Sequence, residues 1–395
     1  MQEKRNRKRS AKRVVLTVLG ILLLLILLLV ACVMIYMNHM LNKINKVDPD
    51  LEYTLSSSEA NAFLEDDPDL VTKDPNSTET HVKLEEITFP TDPVPTDPIE
   101  PTQTPGTTAG NTATQPPATK PAVPPETTPS DIYGEHLVNI LLVGQDRWKG
   151  QSRQRSDTMI LVSLNKSDNT ITLTSFMRDQ YVQIPGYKPN KLNAAYAFGG
   201  MRLLTKTLDL NFGVKIDGIV EVDFSGFEAV ITLLGGVDVT LNQKEADYLN
   251  TLHEFGMLSS PVVVGKNHLD AKQALTFARL REIDTDYARA RRQRAVVMGL
   301  IEAYKDLPLD EMLSLLDEIL PLVSTNLTNS EILGYAVEFF PMLASAKIET
   351  LRIPVNGTFS SGLVEVREGF CRWFQYNIDF EANKEVLWEV FRRKD

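Results

Sequence analysis

The chain of 395 residues is poor in cysteine and histidine, with two and five respectively. Cys32 falls inside an apolar run, so Cys371 has no partner in the rest of the chain, and a disulfide-stapled secreted fold is excluded. His136, His253 and His268 show neither metal-ligand spacing nor a serine or cysteine partner, which argues against histidine-based metal or nucleophilic chemistry. Charge is absent from Val14 to Met37. As a helix that run would measure about 36 Å, enough to cross a hydrocarbon core of roughly 30 Å.

The first 13 residues hold Lys4, Arg5, Arg7, Lys8, Arg9, Lys12 and Arg13 against Glu3 alone. That asymmetry predicts a cytoplasmic tail at 1–13, a transmembrane helix at 14–37, and an extracytoplasmic location for everything after Asn38. Leu29-Val30-Ala31-Cys32 has the look of a lipoprotein processing box, yet Val33-Met34-Ile35-Tyr36-Met37 follows where a lipidated cysteine is followed by polar residues. No small-x-small cleavage site follows either, so the run is read as an uncleaved anchor. Thirteen cytoplasmic residues are too few for a DNA-reading fold, and no nucleic-acid partner is expected.

Residues 38–89 are acidic and weakly patterned, with a short helix predicted over Ser56–Leu64. Pro90–Ser130 then contains 12 prolines and 11 threonines in 41 residues, too little apolar surface for a core. It reads as a disordered linker and tether, reaching roughly 130 Å if extended at about 3.1 Å per residue. The 265 residues from Asp131 onward suffice for one large domain, 131–395.

That domain alternates strand and helix. Strands are predicted at Leu137–Val143, Met159–Leu164 with Thr170–Ser175 as a hairpin, Ile216–Phe224, Val237–Leu241 and Ile348–Ile353. Helices are predicted at Leu192–Leu210, Ser225–Leu234, from Asp270 through Phe277, from a capping Asp286 through about Lys305, then Leu309–Val323, Asn329–Ala344 and Asn383–Arg392. The pattern implies an α/β fold: a three-layer α-β-α domain around a central mixed sheet, with ligands at strand ends.

Polar groups gather where these strands stop. Asp146 ends the first; Arg155 and Asp157 precede the second; Arg178 and Asp179 end the hairpin; Lys191 and Asn193 open a helix. Two carboxylates and several arginines at one sheet edge are what a metal-bridged diphosphate needs, since Mg²⁺ takes one or two carboxylates and fills its other positions with water and phosphate oxygens. The protein is acidic, with net charge −11, yet Arg279–Arg294 carries six arginines in sixteen residues. At 100° per residue, Arg289, Arg292 and Gln293 share the apolar face with Val296, Leu300 and Tyr304, while Arg291 and Arg294 point away as surface charges. Arg289 and Arg292 therefore need a partner, either a ligand or a carboxylate such as Asp284 or Asp286. Arg279 and Arg281 converge on one ligand only if the helix unwinds between them, and Glu282-Ile283-Asp284-Thr285 makes that break plausible.

In this order the residues resemble the LytR-CpsA-Psr family of cell-wall polymer ligases. The likeness runs through Asn139-Ile140-Leu141-Leu142-Val143-Gly144-Gln145-Asp146, Arg155-Ser156-Asp157-Thr158-Met159, Ser175-Phe176-Met177-Arg178-Asp179 and Lys191-Leu192-Asn193-Ala194-Ala195-Tyr196. It continues through Leu269-Asp270-Ala271-Lys272-Gln273-Ala274-Leu275 to Ala278-Arg279-Leu280-Arg281 and Asp286, Arg289, Arg292 and Gln293. Phe176-Met177 replaces the commoner Ile-Pro, and Ala288 a frequent Gly; neither change removes a charge. The resemblance implies transfer of a teichoic acid or capsular polysaccharide from a polyprenyl-diphosphate donor to the C6 hydroxyl of N-acetylmuramic acid in peptidoglycan. It implies Mg²⁺ on Asp146 and Asp157, with the diphosphate held by Arg155, Arg178, Arg279, Arg281 and Arg292. Lys191, Asn193, Arg289 and Gln293 are expected nearby, and Asp157 or Asp179 is available as base. The prenyl chain is expected between sheet and helices, against Phe198, Met201, Phe227, Val230 and Leu234. The alternative is a membrane protein that binds polyprenyl phosphate, or regulates, without turnover.

Overall fold

The computed structural model describes residues 34–48, 54–56, 59–60, 70–72, 81–87, 89, 132–146, 154–305, 309–343 and 345–392. Residues 14–33 of the expected membrane span, Cys32, and the Pro/Thr-rich stretch 90–130 lie outside them. Among the described residues no helix is long and apolar enough to cross a membrane.

Strands β1 (Leu137–Gln145), β2 (Ser156–Asn165) and β3 (Thr170–Phe176) form an antiparallel meander. Helix α1 (Leu192–Phe212) follows, then β4 (Gly218–Val222), which pairs parallel to β1, and α2 (Phe224–Leu233). Next come β5 (Val237–Leu241), α3 (Gln243–Glu254), β6 (Gly265–Leu269), α4 (Ala271–Arg279) and α5 (Asp286–Lys305). The chain closes with α6 (Leu309–Ile319), α7 (Asn329–Leu343), β7 (Lys347–Ile353), the hairpin β8 (Ser360–Arg367) and β9 (Phe370–Tyr376), and α8 (Phe380–Phe391).

The central sheet has seven strands in the order Asn45–Lys46, Ser324–Thr325, β4, β1, β2, β3, β7, and it is mixed. Alternation along β1 and β2 decides which face each side chain covers. Leu141, Val143, Met159 and Leu161 pack beneath α1 and α8, in one core with Phe198 and Leu387. Ile160, Ile171 and Leu173 turn the other way, against Val297, Met298 and Ile301 of α5, while Val138 meets Phe339 and Met342 of α7. Both faces are thus sealed by helices.

Helix α1 is not the uniform rod expected from its sequence. It kinks at Gly199–Gly200, where Gly200 takes φ 61°, a conformation costly for any residue with a Cβ. Helix α5 lies so close to β5 that a Cβ on Gly299 would stand 2.5 Å from the Asp238 carbonyl oxygen.

The segment 38–89, expected to precede the domain, contributes to it. Met40, Leu41 and Ile44 bury against Leu320, and Asn45–Lys46 extends the central sheet. Val71–Thr72 and Val82–Lys83 flank the β8–β9 hairpin to make a second, four-stranded sheet. Ser56 and Glu59 make the reciprocal bonds of a helix start, Ser56 N to Glu59 Oε2 at 2.8 Å and Glu59 N to Ser56 Oγ at 3.3 Å. The rest of the helix expected there lies outside the described residues, apart from residue 60.

Candidate active site

A cavity of about 710 Å³ lies between the α5 face of the sheet and helices α2, α4, α5 and α6. Most of its wall is apolar, from Leu142 and Val220 on the sheet, Phe227 and Val230 on α2, and Val296 and Leu300 on α5. Asp146, Asp157, Arg279, Arg281, Arg289 and Gln293 also line it.

Two backbone irregularities bring these charges together. Gly144 pairs with Thr158 and Gln145 with Ser156, so Asp157 has no partner on β1 and occupies a β-bulge. Bulges of this kind re-aim a side chain beside a site. Asp157 was expected ahead of the strand; it sits within it, at this irregularity. Helix α4, capped by Asp270 through Gln273 N at 2.9 Å, stops at Arg279, and Leu280 is extended (ψ 124°). Unwinding there lets Arg279 and Arg281 address the same cavity.

Asp157 is the hub. Its Oδ1 accepts from Arg178 Nη1 at 2.9 Å, Arg281 donates to its Oδ2, and Arg289 Nη1 stands 3.9 Å away. Burial alone would raise its pKa, but Arg178, Arg289 and Arg281 outweigh burial and hold it well below the usual carboxylate range. Asp146, paired with Arg279 at 3.4 Å, shifts the opposite way, because burial and the Asp157 charge both favour its neutral form. Burial disfavours the charge of Arg178, yet Asp157, Asp179 and Asp286 prevail and raise its pKa. Arg289 is pushed down to about 10, chiefly by burial.

Several expected ligands stand elsewhere. Asp179 and Lys191 form a buried pair at 2.8 Å, with Asp179 also 3.5 Å from Arg178 Nε. Asn193, 1% exposed, donates its backbone N–H to the Arg178 carbonyl at 3.3 Å. None of these three lines the cavity, and neither does Arg178, which they brace. Arg292 is corrected too. It is fully buried and donates to Asp284 at 2.7 and 2.8 Å, to Glu245 at 3.2 Å and to the Leu280 carbonyl at 2.6 Å, which leaves it no reach toward the cavity. Arg155, whose carbonyl accepts from Asp146 N at 3.3 Å, does not line the cavity either. Of the expected apolar contacts, Phe227 and Val230 line the cavity. Phe198 and Met201 belong to the core on the opposite sheet face, and Leu234 is not part of the wall.

Other residues matter more than their sequence context suggested. Asp286, expected as a helix cap, is the first residue of α5, and the Thr285 carbonyl accepts from Arg289 N at 3.2 Å. The freed Asp286 carboxylate pairs with Arg289 at 2.6 Å and approaches Arg178 Nε at 3.6 Å. Phe224 lies under Arg279, ring centroid to guanidinium 4.1 Å. Arg291 and Arg294 are not simple surface charges: the first pairs with the buried Glu245, and the second is half-buried and donates to Ser175 Oγ at 2.6 Å.

The chain is similar to the polyisoprenyl-teichoic acid–peptidoglycan teichoic acid transferase TagU of Bacillus cereus (strain AH820), 33% identical over 224 residues, which are 56% of this chain and 70% of that one. It is 31% identical to TagT of Bacillus subtilis (strain 168), a transferase of the same description, over 225 residues, 56% of this chain and 68% of that one. A solved structure of TagT bound to LIIa-WTA matches with a TM-score of 0.51 and 28% identity, covering 65% of this chain and 90% of the other. Residues 107–370 match the LytR_cpsA_psr family, and the chain belongs to it.

Proposed function

We propose that this protein is a phosphotransferase that ligates a glycopolymer, a teichoic acid or capsular polysaccharide, from a polyprenyl diphosphate to the C6 hydroxyl of peptidoglycan N-acetylmuramic acid. One observation carries the reading: an apolar cavity shares its space with arginines and two aspartates. An isoprenoid tail suits the apolar wall, and a diphosphate suits Arg279, Arg281 and Arg289. The relatives named as teichoic acid transferases, and the TagT structure holding LIIa-WTA, support the same substrate class.

The acceptor oxygen would attack the phosphorus bonded to the sugar, and the P–O bond to the bridging oxygen would break. Prenyl phosphate leaves, a phosphodiester forms, and the acceptor's hydroxyl proton passes to the departing phosphate or to water. Such a reaction asks mainly for positioning and charge neutralisation. Arg281 and Arg289 suit the non-bridging oxygens, and Arg178 keeps Asp157 ionised and in place. As bases the two expected aspartates are poor. Asp157 is held well below the carboxylate range, and Asp179 is tied to Lys191.

Among the described residues no group of three or more histidine, cysteine or acidic side chains could hold a metal. Asp146 and Asp157 face one cavity and repel one another, a two-carboxylate set that fits Mg²⁺ sharing phosphate and water oxygens. Bound there, Mg²⁺ would neutralise charge on the diphosphate. A single-pass anchor with a cytoplasmic N-terminus and an extracytoplasmic domain suits both substrates. In support, a helix over 34–41 continues the expected span, and its end packs directly on the domain through Met40 and Leu41.

The test is transfer by the purified full-length protein from a synthetic polyprenyl-diphosphate-linked glycan to a peptidoglycan oligomer. A phosphodiester-linked product is expected, with slow hydrolysis of the donor when acceptor is omitted. Donor binding without product would mark a capture module instead.

A further inference from the structure

Val220, Leu142, Ile160, Ser175 and Arg352 are register neighbours in one row across β4, β1, β2, β3 and β7. The first three line the cavity. Helix α5 crosses above the row, with Gln293, Val296 and Leu300 on the cavity flank and Arg294 reaching Ser175 on the other. Beyond α5, therefore, the same sheet face carries a second cationic patch. The Arg352 guanidinium stacks on Tyr287, 4.1 Å from its centroid, with Phe359 at 6.0 Å. Tyr287 and Phe359 meet edge to face at 6.2 Å, and Gln375 Nε2 holds the Tyr287 hydroxyl at 3.1 Å.

This patch differs from Arg178, Arg289 and Arg292, each of which is paired with a carboxylate. Arg294 and Arg352 have no carboxylate partner among the described residues; Arg294 donates to Ser175 and Arg352 to Asn356. Burial, together with the Arg352 and Arg291 charges, lowers the Arg294 pKa to about 10. Two partly desolvated, mutually repelling guanidinium groups attract an anion, and aromatic faces beside them suit the flat face of a sugar ring. Tyr287 follows Asp286, which contacts Arg178, which in turn holds Asp157. The patch is thus one residue along the chain from the charged network of the cavity.

A prenyl tail would take the cavity flank of α5, and the patch lies on the other flank, linked to Asp157 through Asp286 and Arg178. We infer that Arg294, Arg352, Tyr287 and Phe359 form the acceptor subsite, and that it binds a carboxylate-bearing glycan. This rests on the transfer reaction proposed above. The sugar-phosphates of the donor polymer share the same anionic-saccharide chemistry, so the experiment separates the two sources.

Full-length protein in lipid nanodiscs is titrated with a soluble peptidoglycan oligomer, with the same oligomer amidated at its carboxylates, and separately with the polyprenyl-diphosphate donor. The double variant Arg294→Gln/Arg352→Gln should bind the native oligomer about tenfold or more weakly, as expected for lost charge-assisted hydrogen bonds, with donor affinity unchanged. The amidated oligomer should bind wild type as weakly as the native one binds the variant. Arg352→Lys, which keeps the charge and guards against a folding defect, should recover part of the loss. Equal oligomer affinity in wild type and double variant overturns the subsite, as does a parallel fall in donor affinity. Oligomer binding through these arginines without any transfer product would keep the subsite and remove the reaction; transfer with unaltered oligomer affinity in the double variant would do the reverse.

Discussion

Arg281 and Arg292 lie in the same arginine-rich stretch, and the structure uses them in opposite ways. Arg292 is sealed from solvent and surrounded by Asp284, Glu245 and the Leu280 carbonyl. Arg281 is 42% exposed, reaches the bulged Asp157 and faces an apolar cavity. Residue type and spacing do not distinguish them; charge compensation does. A guanidinium whose acceptors are supplied by the fold holds helices together, and one that shares a single acceptor at the edge of a cavity can bind an anion.

Breaking the compensated side should cost the most. Arg292→Met leaves Asp284 without its cation and Glu245 with Arg291 alone, and is expected to reduce stability by about 3–5 kcal/mol, read by denaturant unfolding, while transfer per folded molecule stays near wild type. Arg178 lies between the two classes, fed by Asp157, Asp179 and Asp286. Arg178→Lys keeps a cation but loses the planar fork, and should lower transfer roughly 10²–10³-fold with little change in unfolding temperature. On the open side, Arg281→Ala should weaken donor binding by about 10–100-fold, the worth of a hydrogen bond between charged groups, and shift stability by less than about 0.5 kcal/mol. The smallest effect concerns Asp146, whose pKa is raised by burial and by Asp157. An acid with a folded pKa above its unfolded one is a penalty once ionised, and the penalty vanishes as pH falls through the raised value. Asp146→Asn should therefore raise the unfolding temperature slightly at pH 7 and leave it unchanged near pH 3.

Strands β1–β5 and β7 and most helices were legible because each of these strands carries apolar residues in a run or in alternation and each helix an apolar stripe; β6 was not, since Gly265-Lys266-Asn267-His268 presents no apolar side chain. Helix α3 was not, since Glu245 is among its few buried positions and answers to arginines on another helix. The β8–β9 hairpin was missed because its apolar residues are interrupted by charge and its partners come from 38–89, far away in sequence. At the site, Asp146, Asp157, Arg279 and Arg281 were findable from strand ends and from the helix break. The bracing roles of Asp179, Lys191 and Asn193 were not, because a motif records which residues travel together and not which of them faces the ligand. Arg294 looked like a surface charge, since Ser175, which it reaches, lies 119 residues away in the chain.

The most direct measurement is photo-crosslinking of the full-length protein with a polyprenyl diphosphate carrying a diazirine in its tail, followed by mass-spectrometric mapping. Labels should fall on Phe227, Val230, Val296 and Leu300, and excess inorganic diphosphate should not redirect them. Labelling confined to the α1–α8 face, or to residues outside the cavity, would contradict a lipid tail held beside the open arginines.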